Sequence, residues 1–431
     1  MTSTRSNTPL RCLFLADDHP ITPYPTGGGP ALIHNHLELL HHAGIDLALA
    51  LLEQPAHSHG FRRYRESHPD CWANVRSWLS RDPLIATAGR VRYPRRWRRP
   101  WFAWSDPGRL IYGNLDGVQR AELTALIADY SPDFIWAELL HPGVVAREVA
   151  GGVPIVYGHQ DWFWQIAALL GRKRGRARLA YHVWLRRRLE ERLVREVLGC
   201  VSGSATESAQ IRRLGCRHVV YLPPFSAPVD ERSLPTPGSR PHVVQFGGMR
   251  TAANRIGVER FLQSAWPVVL QAEDPPPELW IVGPMDGAPE SLRRLLDAAG
   301  AICPGYIEDM PAVLRPDDIH VIPWEHDTGT RTRVPVAFNY RQALLSTRAA
   351  VACLPEITHG KDAWLVDDLE AMGHAIVKLF RDDSLRQELA RAGRETLLRT
   401  FTREAVQPRF DRFIEEIRRD LPSRSPGGRA R

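Results

Sequence analysis

The chain has 431 residues, 43% of them hydrophobic, and 56 Lys and Arg against 49 Asp and Glu leave a net charge of +7. That length exceeds what one ordinary core organises and predicts two domains of roughly 200 residues each. No run of about eighteen apolar residues occurs, and the N-terminal residues lack the apolar centre of a signal peptide, so neither a membrane span nor a leader is expected. Cys12, Cys71, Cys200, Cys216, Cys303 and Cys353 show neither CxxC nor Cys/His spacing. They read as buried, reduced thiols of a cytoplasmic protein, with no disulfide framework and no zinc site. The positive charge suits an acidic partner such as phosphate or an anionic membrane surface. An arginine-rich composition explains the global charge equally well, and no nucleic-acid partner is expected.

Residues 12–16 read as a short buried parallel strand, followed through a Pro/Gly turn by Gly27-Gly28-Gly29. A helix comes next, with Leu32, Leu37, Leu39, Leu40 and Ala43 inward and Gly44 as its stop, and then a strand at 45–52. Strand, Gly-rich turn, helix, strand is one half of a doubly wound sheet. Residues 53–114 are irregular, aromatic and basic. Alternation resumes with a helix at 118–130, a strand at 133–137, a short helix and a strand at 154–157. A charged helix around 184–198 leads to a strand at 199–202, a helix start at 204–207 and a strand at 218–221. The stretch LPPFSAPVDERSLPTPGSRP (222–241) carries Pro and Ser without periodicity and reads as a linker.

The same grammar then restarts. Strands are expected at 242–246, 278–282, 301–303, 319–322 and 349–352, with helices at 256–271, 291–299, 336–346 and 369–380. The expected organisation is a first domain over 1–222, rejoined by a helix at 403–420, a linker at 223–241 and a second domain over 242–402. Residues 421–431, rich in Pro, Gly and Arg, are expected to be disordered.

Four constellations carry possible chemistry. Gly329-Thr330-Arg331-Thr332-Arg333-Val334-Pro335 follows an expected strand, and Pro335 suits the first turn of a helix. Free backbone N–H groups and two arginines at that helix start make a site for a diphosphate. Gly247-Gly248-Met249-Arg250, with Asn254-Arg255 after it, allows close backbone approach to a ligand. Gly27-Gly28-Gly29 does not match the GxGxxG fingerprint, so it reads as a loop at a cleft and not as a nicotinamide site. Gly158-His159-Gln160-Asp161-Trp162 puts His159 at a strand's carboxyl end, where it can bond a sugar hydroxyl or handle a proton, with His141 as a rival. Glu190, Glu191 and Glu207 read as members of solvated salt-bridge faces.

Residues 329–360, GTRTRVPVAFNYRQALLSTRAAVACLPEITHG, resemble the donor-binding region of the glycosyltransferase 4 family, down to Pro355, Glu356 and Gly360. FGGMRTAANRIGVERFL, Trp266-Pro267, LWIVG, PGYIEDMPAVL and Phe401-Thr402 fall in that family's order, and the first half matches more loosely. The resemblance implies a GT-B fold, two Rossmann-like domains facing a central cleft. It also implies a retaining transfer from a nucleotide-sugar donor to a small-molecule, lipid or polysaccharide acceptor, with no cofactor and no obligatory metal. By carry-over, Gly329, Thr330, Arg331 and Arg333 hold the diphosphate, assisted by Gly248 and Arg255. Tyr306 and Ile307 flank the base, His159 lies near the sugar, and Glu356 faces its hydroxyls.

The family's ribose-binding glutamate is replaced by Val336, which leaves Glu325, Asp327 or Glu356 to take over that contact. Two other readings compete: a different GT-B enzyme such as a nucleotide-sugar epimerase, and a catalytically silent transferase-like binding subunit. The basic-aromatic segment 93–104 is a candidate for docking on an anionic membrane at the inner face.

Overall fold

A computed structural model of the chain describes residues 8–22, 28–53, 60–86, 104–112, 115–171, 176–238, 240–307 and 309–422. Segment 93–103 and residues 423–431 therefore lie outside the described residues, as does Gly27.

The first half runs β1 (Arg11–Asp17), α1 (Gly28–His42), β2 (Asp46–Leu52), α2 (Gly60–Ser67), α3 (Pro69–Trp78), β3 (Leu84–Ala86), α4 (Pro107–Tyr112) and α5 (Gly117–Tyr130). It continues with β4 (Phe134–Glu138), α6 (Leu140–Val149), β5 (Ile155–His159), α7 (Phe163–Leu170), α8 (Arg176–Glu196), β6 (Gly199–Ser202), α9 (Ala205–Arg213) and β7 (His218–Tyr221). The second half runs β8 (Val243–Phe246), α10 (Ala252–Ser264), α11 (Trp266–Ala272), β9 (Leu279–Val282), α12 (Glu290–Ala298), β10 (Ile302–Gly305) and β11 (Ile319–Ile322). After it come α13 (Arg333–Asn339), β12 (Ala343–Thr347), α14 (Arg348–Val351), β13 (Trp364–Val366), α15 (Leu369–Arg381), α16 (Asp383–Thr400) and α17 (Arg403–Asp420).

Two wholly parallel sheets result, ordered β3-β2-β1-β4-β5-β6-β7 and β10-β9-β8-β11-β12-β13. Both are doubly wound, and the strand order reverses at β1/β4 in one and at β8/β11 in the other. Their central strands are buried on both faces because helices cover both, which explains the unbroken apolar runs, while the edge strand β10 is largely exposed. Helix α17 returns to the first sheet: Val406, Phe410, Phe413, Ile414 and Ile417 join one cluster with Phe14, Leu37, Trp136 and Val201. Pro408 stands in its second turn and does not end it.

Several expectations need correction. Residues 349–352 are not a strand. Thr347 Oγ1 accepts from the Ala350 N–H and starts the helical turn α14, while the strand is Ala343–Thr347. The helix expected at 336–346 stops at Asn339, and Arg341 (φ 52°) takes the left-handed conformation that turns the chain into β12. The helix expected at 256–271 is broken in two near Ala265, ahead of Pro267. Cys303 is exposed and Cys71 half-buried, so only four of the six thiols are buried, and all six are free. Among the described residues, no helix is long and apolar enough to cross a membrane.

Phe410 is fully buried where the last helix meets the first sheet. Phe410→Ala is expected to cost ~3–5 kcal/mol, read as a lowered midpoint of chemical denaturation.

Candidate active site

Both switch points open at the carboxyl ends of the strands, and their loops meet across one cavity of about 740 Å³. The first half contributes His19, Gly28, Gly29, Gln160 and Asp161; the second contributes Gly247, Gly248, Thr330, Arg331 and Arg333. A smaller cavity of about 230 Å³ adjoins it, sharing Phe246, Gly247, Gly248 and Pro284. Tyr306 and Ile307 line this second space from one side, and Ser67, His68 and Asp70 from the other.

The turn after β11 is built around two arginines. Arg331 donates to the His326 carbonyl at 3.3 Å and Arg333 to the Phe246 carbonyl at 3.1 Å. Each guanidinium has five N–H groups, so most remain unspent by these bonds. Neither arginine forms an ion pair with a carboxylate among the described residues, although both line the cavity. Burial, with Arg331 beside it, pushes Arg333 down to about 9. Two adjacent, poorly solvated cations are a prepared seat for a multivalent anion.

Gly329 lies at the head of this turn with φ 67°. A Cβ there would stand 1.6 Å from the Asp161 carboxylate of the opposite half. Its N–H donates to Glu207 Oε1 at 2.9 Å, and Glu207 Oε2 lies 3.1 Å from His159 Nε2. Glu207 is buried, so the expected solvated salt-bridge face is wrong for it. Ser204 caps α9 by accepting from the Glu207 N–H, the first half of a capping box. The glutamate does not return to Ser204; it reaches into the other half. Thr206 Oγ1 likewise donates to Asp327 at 3.1 Å, and the Ala205 N–H to the Cys353 carbonyl at 2.9 Å. Glu190 is also buried, and burial holds its carboxyl well above the usual range. Only Glu191 fits the expectation, pairing with Arg187 and Arg195.

Beneath Gln160 sits a fully buried carboxylate, Glu138, at the end of β4. It accepts from Trp136 Nε1 at 2.9 Å and Gln160 Nε2 at 2.8 Å, and lies 2.8 Å from His36 Nδ1. Burial alone would raise this carboxyl, but His36 and these hydrogen bonds hold it below the ordinary range. Gly158 must be glycine, because a Cβ would stand 2.2 Å from that carboxylate. The network therefore fixes Gln160 in the cavity wall.

The expected site residues divide. Gly248, Thr330, Arg331 and Arg333 meet at the large cavity; Tyr306 and Ile307 meet at the small one, where Gly248 also reaches. Gly329 underlies the turn. His159 is buried behind the wall, packed 4.6 Å from the Trp162 ring, and its neighbours Gln160 and Asp161 face the cavity. Its rival His141 is 2.6 Å from Asp17. Arg255 folds back onto the Met249 and Arg250 carbonyls at 2.9 Å. Glu356 accepts from Tyr221 at 2.8 Å and pairs with Arg409 at 3.4 Å, tying its loop to β7 and α17. Glu325 pairs with Arg260 at 3.0 Å, and Asp327 is held by Thr206. Val336 is buried beside Val244, Phe246, Val282 and Met310, an apolar wall where the resemblance leads one to look for a carboxylate.

Sequence reasoning missed Gln160, Glu207 and Asp70, and named Asp161 only as the carboxylate two residues after His159. The Ser204-to-Glu207 capping spacing was the one available signal. Among the described residues, no group of three or more His, Cys, Asp and Glu is arranged to hold a metal ion.

Residues 240–382 match the family model described as Glycosyl transferases group 1. The second half therefore carries a group 1 glycosyl transferase region. Nearly the whole chain aligns with solved structures at low identity. Sucrose-phosphate synthase from Thermosynechococcus elongatus shares 14% identity over 95% of this chain and 99% of its own, with a TM-score of 0.63. HepE of Anabaena, in complex with UDP and glucose, shares 13% over 94% and 100%, with a TM-score of 0.61. TarM of S. aureus shares 8% over 94% and 99%, with a TM-score of 0.65. These likenesses show that the chain has the GT-B fold. No curated protein matches it in sequence.

Two predictions test the closed cleft. Gly329→Ala introduces a Cβ onto Asp161 in a left-handed backbone, which costs at least ~1–2 kcal/mol and should lower thermal stability. Burial, then Glu207, raises Asp161 to about 7, partly offset by Arg331. Below about 4 the carboxyl is protonated in both folded and unfolded chains; between there and about 7 only the unfolded chain releases the proton. Asp161 therefore costs stability increasingly as pH rises through that window. Asp161→Asn should gain stability over the parent across the same range and level off above it, as followed by melting temperature against pH.

Proposed function

We propose that the cleft binds a nucleotide-sugar donor and transfers its sugar, with retention, to a hydroxyl acceptor held by the first half. The reading rests on one observation: Arg331 and Arg333 line the cavity without carboxylate partners. A departing nucleoside diphosphate would bring the missing negative charge, and these arginines would stabilise it as the glycosidic bond breaks. They supply that stabilisation from the protein itself, so no metal is required in the proposal.

The base fits the smaller cavity between Tyr306, Ile307 and the α2–α3 turn. Val336 offers the ribose no acceptor, and Asp70 is the carboxylate that lines this space in its stead. The sugar then lies toward Gln160 and Gly29. Retention is carried over from the family resemblance. Asp161 packs against Gly329, on the leaving-group side, and the first half's wall also presents the Gln160 amide and His19. His159 acts from beneath through Glu207, and Glu356 acts by fixing its loop.

Arg331→Ala and Arg333→Ala should each weaken nucleoside diphosphate binding by ~1–3 kcal/mol, a factor of roughly 5–150. Calorimetric titration with each of the common diphosphates measures this. Parent-like affinity in both variants places the diphosphate elsewhere.

A further inference from the structure

Helix α8 has an aromatic, basic half and an ion-paired half. Of the large hydrophobic side chains exposed in the described structure, three lie together: Trp104 at 64%, Tyr181 at 41% and Trp184 at 38%. Trp104 meets Trp184 edge-on at 5.7 Å, and Tyr181 lies 6.1 Å from Trp184, one turn back on α8. The Arg188 guanidinium stands 4.7 Å over the Trp104 ring and donates to the Trp104 carbonyl at 3.0 Å.

The charges follow the same division. From Arg176 to Leu189 the helix carries Arg176, Arg178, Arg186, Arg187 and Arg188 and no acid. The C-terminal half is neutralised by its own pairs, Arg187 and Arg195 with Glu191 and Arg192 with Glu196. Arg176, Arg178 and Arg188 form no ion pair among the described residues. Along α8, the arginines without ion pairs among the described residues thus lie in the half that exposes the rings. Indole and phenol rings settle at the boundary between headgroups and acyl chains, while arginines reach lipid phosphates through long apolar stems. A protein partner would need a complementary groove; this surface offers projecting rings and diffuse positive charge.

We propose that Trp104 and the first half of α8 dock the transferase on an anionic lipid surface. The placement has a consequence for the acceptor. Helix α7 packs against α8, and its Phe163, Ile166 and Leu169, spaced by three on one face, line the large cavity. One hairpin therefore meets the bilayer and forms an apolar side of the cleft. An acceptor hydroxyl carried on a lipid would enter the cavity along this apolar side, toward Arg331. That last step rests on the proposed donor cleft; the docking does not.

The test is co-sedimentation of the full chain with vesicles at low salt. Phosphatidylcholine vesicles containing about a third phosphatidylglycerol are compared with phosphatidylcholine alone. The parent should bind the anionic vesicles, and raised salt should release it. Tyr181→Ser with Trp184→Ser, and separately Arg176→Glu with Arg178→Glu, should each reduce binding by roughly tenfold or more. Both variants should keep the parent's melting temperature and nucleoside diphosphate affinity, which separates failure here from failure of the cleft reading. A parent that stays in the supernatant, or variants that sediment like it, overturns the proposal. Equal capture by neutral vesicles does so too. Binding to an RNA oligomer that depends on these arginines, without vesicle binding, assigns the surface to nucleic acid and overturns it.

Discussion

The closed cleft depends on one missing side chain. Gly329 lets the Asp161 carboxylate rest where a Cβ would be, and its N–H is spent on Glu207. Two carboxylates of the first half thus touch the turn that carries Arg331 and Arg333. Among the described residues, no carboxylate reaches ion-pair distance of either arginine: Asp161, raised by burial, feels Arg331 only through space, and Arg333 has Arg331 beside it. Glycine here is required twice, once for its left-handed backbone and once for space.

Much of the fold was legible because parallel strands buried on both faces leave plain apolar runs. The strands at 199–202, 218–221 and 319–322 are read to the residue, and helices covering both faces follow from their alternation. What escaped lies where the signal is short or local. β3 and β13 have three residues each, too few for a pattern. The misplaced strand at 349–352 and the overlong helix before it share one cause. Arg341 adopts a positive φ without being Gly or Asn, so nothing announces the break.

The site was legible on its charged side and obscure on its polar side. Gly329, Arg331 and Arg333 form a contiguous motif, so their chemistry survives without any knowledge of the fold. Glu138, His36, Trp136 and Gln160 are spread over 125 residues from 36 to 160 and meet only through the β1/β4/β5 order. A reading that looks for reactive groups weighs His159 against His141 and passes over the amide of Gln160 beside it. Strand alternation decides otherwise, pointing one side chain under the sheet's rim and the next into the cavity. Glu207 was misread because helical glutamates near arginines usually face water. Its capping partner Ser204 positions it to cross between the halves instead.

The return of α17 means that the first sheet is completed by the end of the chain. Gln407 donates to the Leu39 carbonyl at 3.1 Å across 368 residues of sequence, and the Phe410 ring lies tilted 6.0 Å from Trp136. The second half has a core cluster of its own, drawn from residues 243–389. The first half instead shares a cluster with α17. Until residues 403–420 arrive, the groove over Leu37, Trp136 and Val201 stands open, an apolar trough awaiting its last helix. The half made first is thereby the half whose core closes last.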